Sequence, residues 1–181
     1  MSSRIRVEDD RINFLLDQIE EAFADETYPG DELVAGNCPC NTLEVAGLIE
    51  RSREKKWQDI PVNVIDYHKC SLPFLLPESY PYYIPAYMTC SFEMQYRYKD
   101  TDLLWFTVLS LCSQKQDLDD HVPLFETNQQ HKHLDYLQKI TIKRFLRESK
   151  NYFYKEDGDT DTLALIDRTL CDDRLYLNYD D

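Results

Sequence analysis

The side chains that could do chemistry in this 181-residue chain are four histidines, six cysteines and a surplus of carboxylates. Their spacing limits what that chemistry could be. His131 and His133 stand two apart, so on a helix they point roughly 200° from one another and cannot share a metal ion. The helical zinc pair of the H-E-x-x-H kind is absent. Asp119 and Asp120 beside His121 could orient an imidazole base, but no nucleophile accompanies them. Tyr67-His68-Lys69-Cys70 sets an imidazole two residues from a thiol, a pair only if the fold brings the side chains together. Cys38-Pro39-Cys40 is one residue tighter than the usual zinc knuckle. Two metal-assisted hydrolase arrangements can be written from these residues. One uses His121 with Asp119 and Asp120, and the other uses Cys38, Cys40, His68 and Cys70. Neither matches a recognised ligand spacing, no G-x-S-x-G occurs, and none of the four glycines lies in a phosphate-cradling loop. The expectation is a protein without catalytic residues, metal or cofactor, with the metal-assisted hydrolase, or a subunit of a larger complex that docks through its Tyr80 to Tyr87 surface, as the alternatives.

The composition sets the class to which any site must belong. Hydrophobic residues make up 43 % and aromatic residues 13 % of the chain, too much apolar surface for a disordered polypeptide. By surface scaling, a folded chain of this mass buries about 70 % of its extended surface, enough for one core without disulfides. A net charge of −14 lacks the basic footprint that nucleic acids require. No apolar run reaches the length of a membrane helix, and Met1 to Asp10 carries no signal-peptide core. A cytoplasmic protein with reduced thiols follows from these signs, with Cys90 and Cys112 in apolar stretches as small buried side chains.

Apolar periodicity predicts helices almost throughout. Ile12, Leu15, Leu16, Ile19 and Phe23 mark one over residues 5–23, broken by the turn Tyr28-Pro29-Gly30-Asp31. Asn41 and Glu44 read as a capping box for a second helix through Leu48 and Ile49. Asp59 and Pro61 introduce a short one over residues 62–67. Between Leu72 and Met88 four prolines alternate with aromatics, which punctuates any helix there. Helix is expected to resume from Tyr83 to Tyr98 with Pro85 in its first turn, and Asp102 to cap an apolar core helix over 103–112. The longest helix spans about 125–153, and Asp161 or Thr162 caps a last one over 163–170. The architecture is therefore all-α: a compact bundle of six to seven helices in residues 1–155, with an acidic segment, 156–181, packed on it.

Charge is distributed unevenly along this frame. Net charges are −7, −2, +2 and −7 for residues 1–60, 61–113, 114–155 and 156–181. Lys139, Lys143, Arg147 and Lys150 form one basic stripe along the longest helix. Either the acidic C-terminal segment folds back on this stripe, or the acidic ends steer a basic partner such as a toxin, a nuclease or a subunit of a larger complex. The residues expected to meet such a partner are Asp157, Asp159, Asp161, Asp172 and Asp173. Tyr80 and Tyr82 join them, because phenol rings are common in binding hot spots. Tyr83 and Tyr87 share a helix face and are expected in the core.

The order of these markers resembles a small uncharacterised bacterial family, the domain of unknown function numbered 6714. The residues that carry the resemblance are Ala22-Phe23, Tyr28-Pro29-Gly30-Asp31, Cys40 with Glu44, and Trp57-Gln58-Asp59-Ile60. Leu76-Pro77-Glu78-Ser79-Tyr80 and Tyr82-Tyr83-Ile84-Pro85-Ala86-Tyr87 complete the series. The likeness spans residues 12 to 150 or so and leaves the segment after Asn151 outside. It implies a bacterial source and one compact domain, and brings no activity with it. The resulting expectation is a non-catalytic acidic interaction module, of the kind an immunity or inhibitor protein would be, binding a basic protein.

Overall fold

A computed structural model describes residues 7, 9–35, 39–112, 131–156 and 160–171. Among them lie eight α-helices and no strand: α1 Asp10–Ala22, α2 Glu32–Ala35, α3 Pro39–Ser52, α4 Val62–Tyr67, α5 Tyr80–Glu93, α6 Asp102–Leu111, α7 Tyr136–Glu156 and α8 Thr160–Cys171. The all-α expectation holds.

Everything is arranged round α5. Every residue of this helix except Thr89 is buried. A helix apolar on all sides belongs at the centre of a bundle, and α1, α4 and α6 pack directly on it. The sequence suggested that helix would resume only at Tyr83, with Pro85 in the first turn. Instead α5 begins at Tyr80, Pro81 takes the first turn, and Pro85 lies inside the helix. An internal proline withholds one N–H and crowds the preceding turn, at a cost of about 3 kcal/mol. Burial of Tyr80, Tyr82, Tyr83, Ile84 and Tyr87 on all sides outweighs that cost, since fully burying a large apolar side chain contributes roughly 1.5–3 kcal/mol.

The tyrosines of α5 do more than fill space. An α-helix leaves its last carbonyls without partners, and the buried phenols donate to those of neighbouring helices. Tyr82 Oη donates to the carbonyls of Lys55 at 2.9 Å and Ser52 at 3.3 Å, beyond and at the end of α3. Tyr87 Oη donates to the carbonyl of His68, the C-cap of α4, at 2.6 Å. Tyr80 Oη reaches the carbonyl of Ser110 in the last turn of α6, more weakly, at 3.4 Å. Tyr83 Oη shares a 2.7 Å bond with Ser52 Oγ. The same device closes α1: Trp57 Nε1, in the 3₁₀ turn Trp57–Asp59, donates to the carbonyl of its C-cap Phe23 at 2.8 Å.

The helix starts are set locally. Asp9, not the region near Ile5, caps α1, its side chain accepting from the N–H of Arg11 at 2.9 Å. The turn before α2 needs Gly30, whose φ of +95° a residue with a side chain rarely adopts. α3 starts at Pro39, two residues before the expected cap at Asn41, with proline in the first turn where it loses nothing. α4 covers the expected residues, but its cap is Pro61, because Asp59 closes the preceding 3₁₀ turn. Thr101 rather than Asp102 is the N-cap of α6, and Asp100 Oδ1 accepts the N–H of Asp102 at 2.9 Å.

The longest helix, α7, starts later than its periodicity suggests. A capping box fixes the start: the N–H of Gln138 donates to Asp135 Oδ1 at 2.8 Å, and the N–H of Asp135 to Gln138 Oε1 at 3.0 Å. Residues 125–130, the expected first turns, lie outside the described residues, and His131–His133 form a separate 3₁₀ turn. Gln138 Nε2 also donates to Glu26 Oε1 at 2.6 Å, and α1 packs along α7, the two running in opposite directions. The last helix, α8, lies on α7 with Ile166 fully buried, and Trp105 Nε1 of α6 donates to its Thr162 Oγ1 at 3.2 Å.

Two measurements test this scheme. Trp57→Phe removes the shorter of two hydrogen bonds to the Phe23 carbonyl, leaving the Glu26 N–H at 3.3 Å, and is expected to cost about 0.5–1.5 kcal/mol in urea unfolding. Burial lifts the phenol pKa of Tyr83 to about 12, those of Tyr80 and Tyr82 higher still, and that of Tyr87 well above its ordinary value. An unfolded tyrosine ionises near 10, so the raised folded values contribute stability that is fully present below about pH 10 and lost as pH rises beyond it. In an absorbance titration these four phenols should ionise together with the loss of far-UV circular dichroism, and not before it.

Candidate functional site

Past Glu93 the helical chain widens into a π turn, Met94–Tyr98. Such turns insert one extra residue, rotate the faces that follow, and recur at functional sites. Here the rotation turns Gln95 inward, 6 % exposed, and leaves Tyr96 half-buried beside α1. Lys99 ends the turn in the left-handed region, φ +57°, and the N–H of Asp100 reaches back to the Met94 carbonyl at 3.4 Å. Holding a side-chain-bearing residue there costs roughly 1–2 kcal/mol.

Between this turn, the start of α1 and the middle of α7 opens a cleft of about 220 Å³. Ile12 and Phe92 contribute apolar surface, and Tyr96 and Tyr152 aromatic surface. Charge enters from three sides. Asp9 and Arg11 are paired at 3.3 Å on α1, Glu148 stands on α7, and Lys99 follows the π turn. The start of α1 is braced by Asn13, which exchanges two hydrogen bonds with the backbone of Val7 at 2.8 and 3.0 Å.

The electrostatics follow from these neighbours. Partial burial would raise the Asp9 carboxyl, but hydrogen bonds from the Arg11 side chain and backbone outweigh it and hold the group below the usual carboxylate range. The Asp9 bond and charge, helped by Glu148, raise the Arg11 guanidinium. Burial, then the Asp9 carboxylate, raises the Tyr96 phenol, whose hydroxyl lies 3.5 Å from Asp9 Oδ2. Gln95 Oε1 is buried and has no hydrogen-bond partner among the described residues, where nearly all buried polar atoms have one. The same holds of Asp66 Oδ1 and Thr141 Oγ1, away from the cleft lining.

The sequence-derived candidates fall elsewhere. Tyr80 and Tyr82, expected to face a partner, are 0 % and 1 % exposed. Their hydroxyls are committed to Ser110, Ser52 and Lys55, so both rings belong to the core with Tyr83 and Tyr87. Asp161 is exposed in the first turn of α8, while Asp157, Asp159, Asp172 and Asp173 lie outside the described residues. So do His121, Asp119, Asp120 and Cys38; Cys40 falls in α3, and its side chain is not among those described. The ring of His68 covers Gly47, where a Cβ would stand 2.9 Å from its Nε2 and Cε1. Among the described residues no three His, Cys, Asp or Glu side chains gather as a metal site. His133, on its 3₁₀ turn, has Nε2 3.8 Å from Glu78 Oε1. The basic stripe is met in part by the chain itself, through the ion pair of Lys150 with Asp167 of α8. Gln95 carried no sequence signal, because a π turn has no motif and a glutamine among apolar residues reads as surface.

A bundle wound round an apolar tyrosine helix, with a small mixed-charge cleft beside its π turn, is the class of protein these features define. The sequence matches the family of unknown function DUF6714 over residues 12–167, and the chain belongs to that family. The match runs past Asn151 into α8, further than the sequence markers reached, in keeping with the burial of Ile166. Comparison with curated proteins and with solved structures finds no match.

Thiol labelling probes this packing. Burial pushes the Cys112 thiol up to about 12 and that of Cys90 beyond, whereas Cys70 and Cys171 are exposed. Thiolate is the reactive form. Iodoacetamide at pH 8 should therefore modify Cys70 and Cys171 in the native protein, and Cys90 and Cys112 only after unfolding, as read by peptide mass spectrometry.

Proposed function

We propose that this protein is a non-catalytic acidic interaction module whose partner is a basic protein, as an immunity or inhibitor protein would be. The observation that carries this reading is the unbalanced charge of −14 on a domain whose core, Glu93 apart, is built from neutral groups. Asp10, Glu21 and Asp25 are exposed in and just after α1, and Glu50 and Glu54 at and beyond the end of α3. Such a surface raises the encounter rate with a positively charged partner and disfavours acidic ones. Asp161 and Asp167 place further acids on α8, although Asp167 also neutralises Lys150. That pair supports the folding-back of the C-terminal acids on the stripe as one part of their role. Steering by the remaining acids is the other.

The test is capture of partners on the immobilised protein across a salt series. A basic protein retained at 50 mM salt, on the order of tenfold weaker at 300 mM because screening shortens the reach of the charges, is the expected outcome. The charge-reversed variant Glu21→Lys with Asp25→Lys, and separately Asp157, Asp159, Asp161, Asp172 and Asp173 all changed to asparagine, should weaken the same contact. Retention that ignores both salt and these substitutions overturns the reading.

A further inference from the structure

We propose that the cleft beside the π turn is a binding site for a small zwitterion of the α-amino-acid type with an apolar or aromatic side chain. This goes beyond the interaction surface proposed above.

Three independent features point to a ligand. The first is the unpartnered carboxamide oxygen of Gln95, more than nine-tenths buried in a residue that lines the cleft. Leaving such an acceptor unmade costs more than replacing the side chain by an apolar one of the same shape. A donor of the N–H type is what it lacks.

The second feature is the balance of charge. Two acids, Asp9 and Glu148, and two bases, Arg11 and Lys99, line the cleft, so a ligand of net charge is favoured by neither sign. Asp9 and Arg11 are already joined to each other. Glu148 accepts from Asn151 Nδ2 over a long 3.3 Å, and Lys99 Nζ makes no ion pair among the described residues. The remaining acceptors, Gln95 Oε1 and Glu148, come from the π turn and α7. The remaining cation, Lys99, stands at the exposed rim. An ammonium and a carboxylate on one small molecule answer both.

The third feature is size and lining. A dry cavity of about 150 Å³ holds a benzene ring. A cleft of about 220 Å³ walled by Ile12, Phe92, Tyr96 and Tyr152 has room for an apolar side chain of that size and the groups that carry it. Lys99 in a left-handed conformation and the π turn are also where a fold stores strain when a local geometry serves a ligand.

The experiment is calorimetric titration of the full chain with a panel of apolar and aromatic L-amino acids. Phenethylamine and 3-phenylpropionate serve as half-ligands, each carrying one of the two charges. The expected result is saturable binding of at least one amino acid, with the matching half-ligands bound at least tenfold more weakly. Gln95→Leu should raise the thermal midpoint of the unliganded protein while weakening binding at least tenfold, a pairing that a merely structural glutamine would not give. Lys99→Asn removes the cation yet keeps a residue that tolerates the left-handed backbone, and Glu148→Gln removes the carboxylate. Both should weaken the amino acid at least fivefold, and they carry the test if Gln95→Leu fails to fold. No saturable binding across the panel, half-ligands that bind as well as the amino acid, or variants that leave affinity unchanged would each overturn the proposal.

Discussion

The fold depends on a hydrogen bond from a buried aromatic donor to the exposed carbonyl end of a helix. Four helices, α1, α3, α4 and α6, end inside or against the core, and a carbonyl at each end takes a hydrogen bond from Trp57, Tyr82, Tyr87 or Tyr80, beside the turn N–H groups that also reach Phe23, Ser52 and His68. These side chains combine a large apolar body with one polar tip, so one residue both fills the core and completes the backbone of a neighbour. That arrangement explains how a bundle can bury so many phenols without charged partners. It also explains why Tyr80 and Tyr82 have nothing left to offer a binding partner.

How much of this was legible in the sequence follows from the same interaction. Helices with one apolar face, α1 and α8, announce themselves by periodicity, and their core residues Ile12, Leu15, Ile19 and Ile166 are where the pattern puts them. α5 is apolar on every side and contains Pro85, so neither periodicity nor propensity could locate its start. Only packing from all directions makes it a helix from Tyr80 onward. The start of α7 rests on the Asp135–Gln138 box, hidden within a longer stretch of helical spacing. The cleft was illegible for another reason. It joins residues near positions 9, 95 and 150, and its central group is an uncharged amide with no spacing rule to betray it.

The distribution of charge completes the picture. Neutral donors hold most of the interior together, and the carboxylates are left to the surface apart from the buried Glu93. Where acids are structural their partners are local: Asp9 with Arg11, Asp31 with Tyr28 and Arg53, Glu93 with Arg97. The hydrogen bonds from Tyr28 and Arg53 hold the Asp31 carboxyl below its ordinary value. The exposed pairs among these, such as Asp31 with Arg53, add little stability. The excess negative charge therefore counts against compactness through self-repulsion, and a core of this density is what tolerates it.

Capping of early helices by later residues has a consequence for synthesis. The end of α1 waits for Trp57, the end of α3 for Tyr82, and α4 for Tyr87. A nascent chain that has emerged only to residue 79 already holds Trp57 for α1 but lacks the phenols that meet the ends of α3 and α4, and its apolar faces have no central helix to cover. Such a chain has no domain to form until α5 leaves the ribosome. The central helix, and not the first, is thus the element on which closure of the whole domain depends.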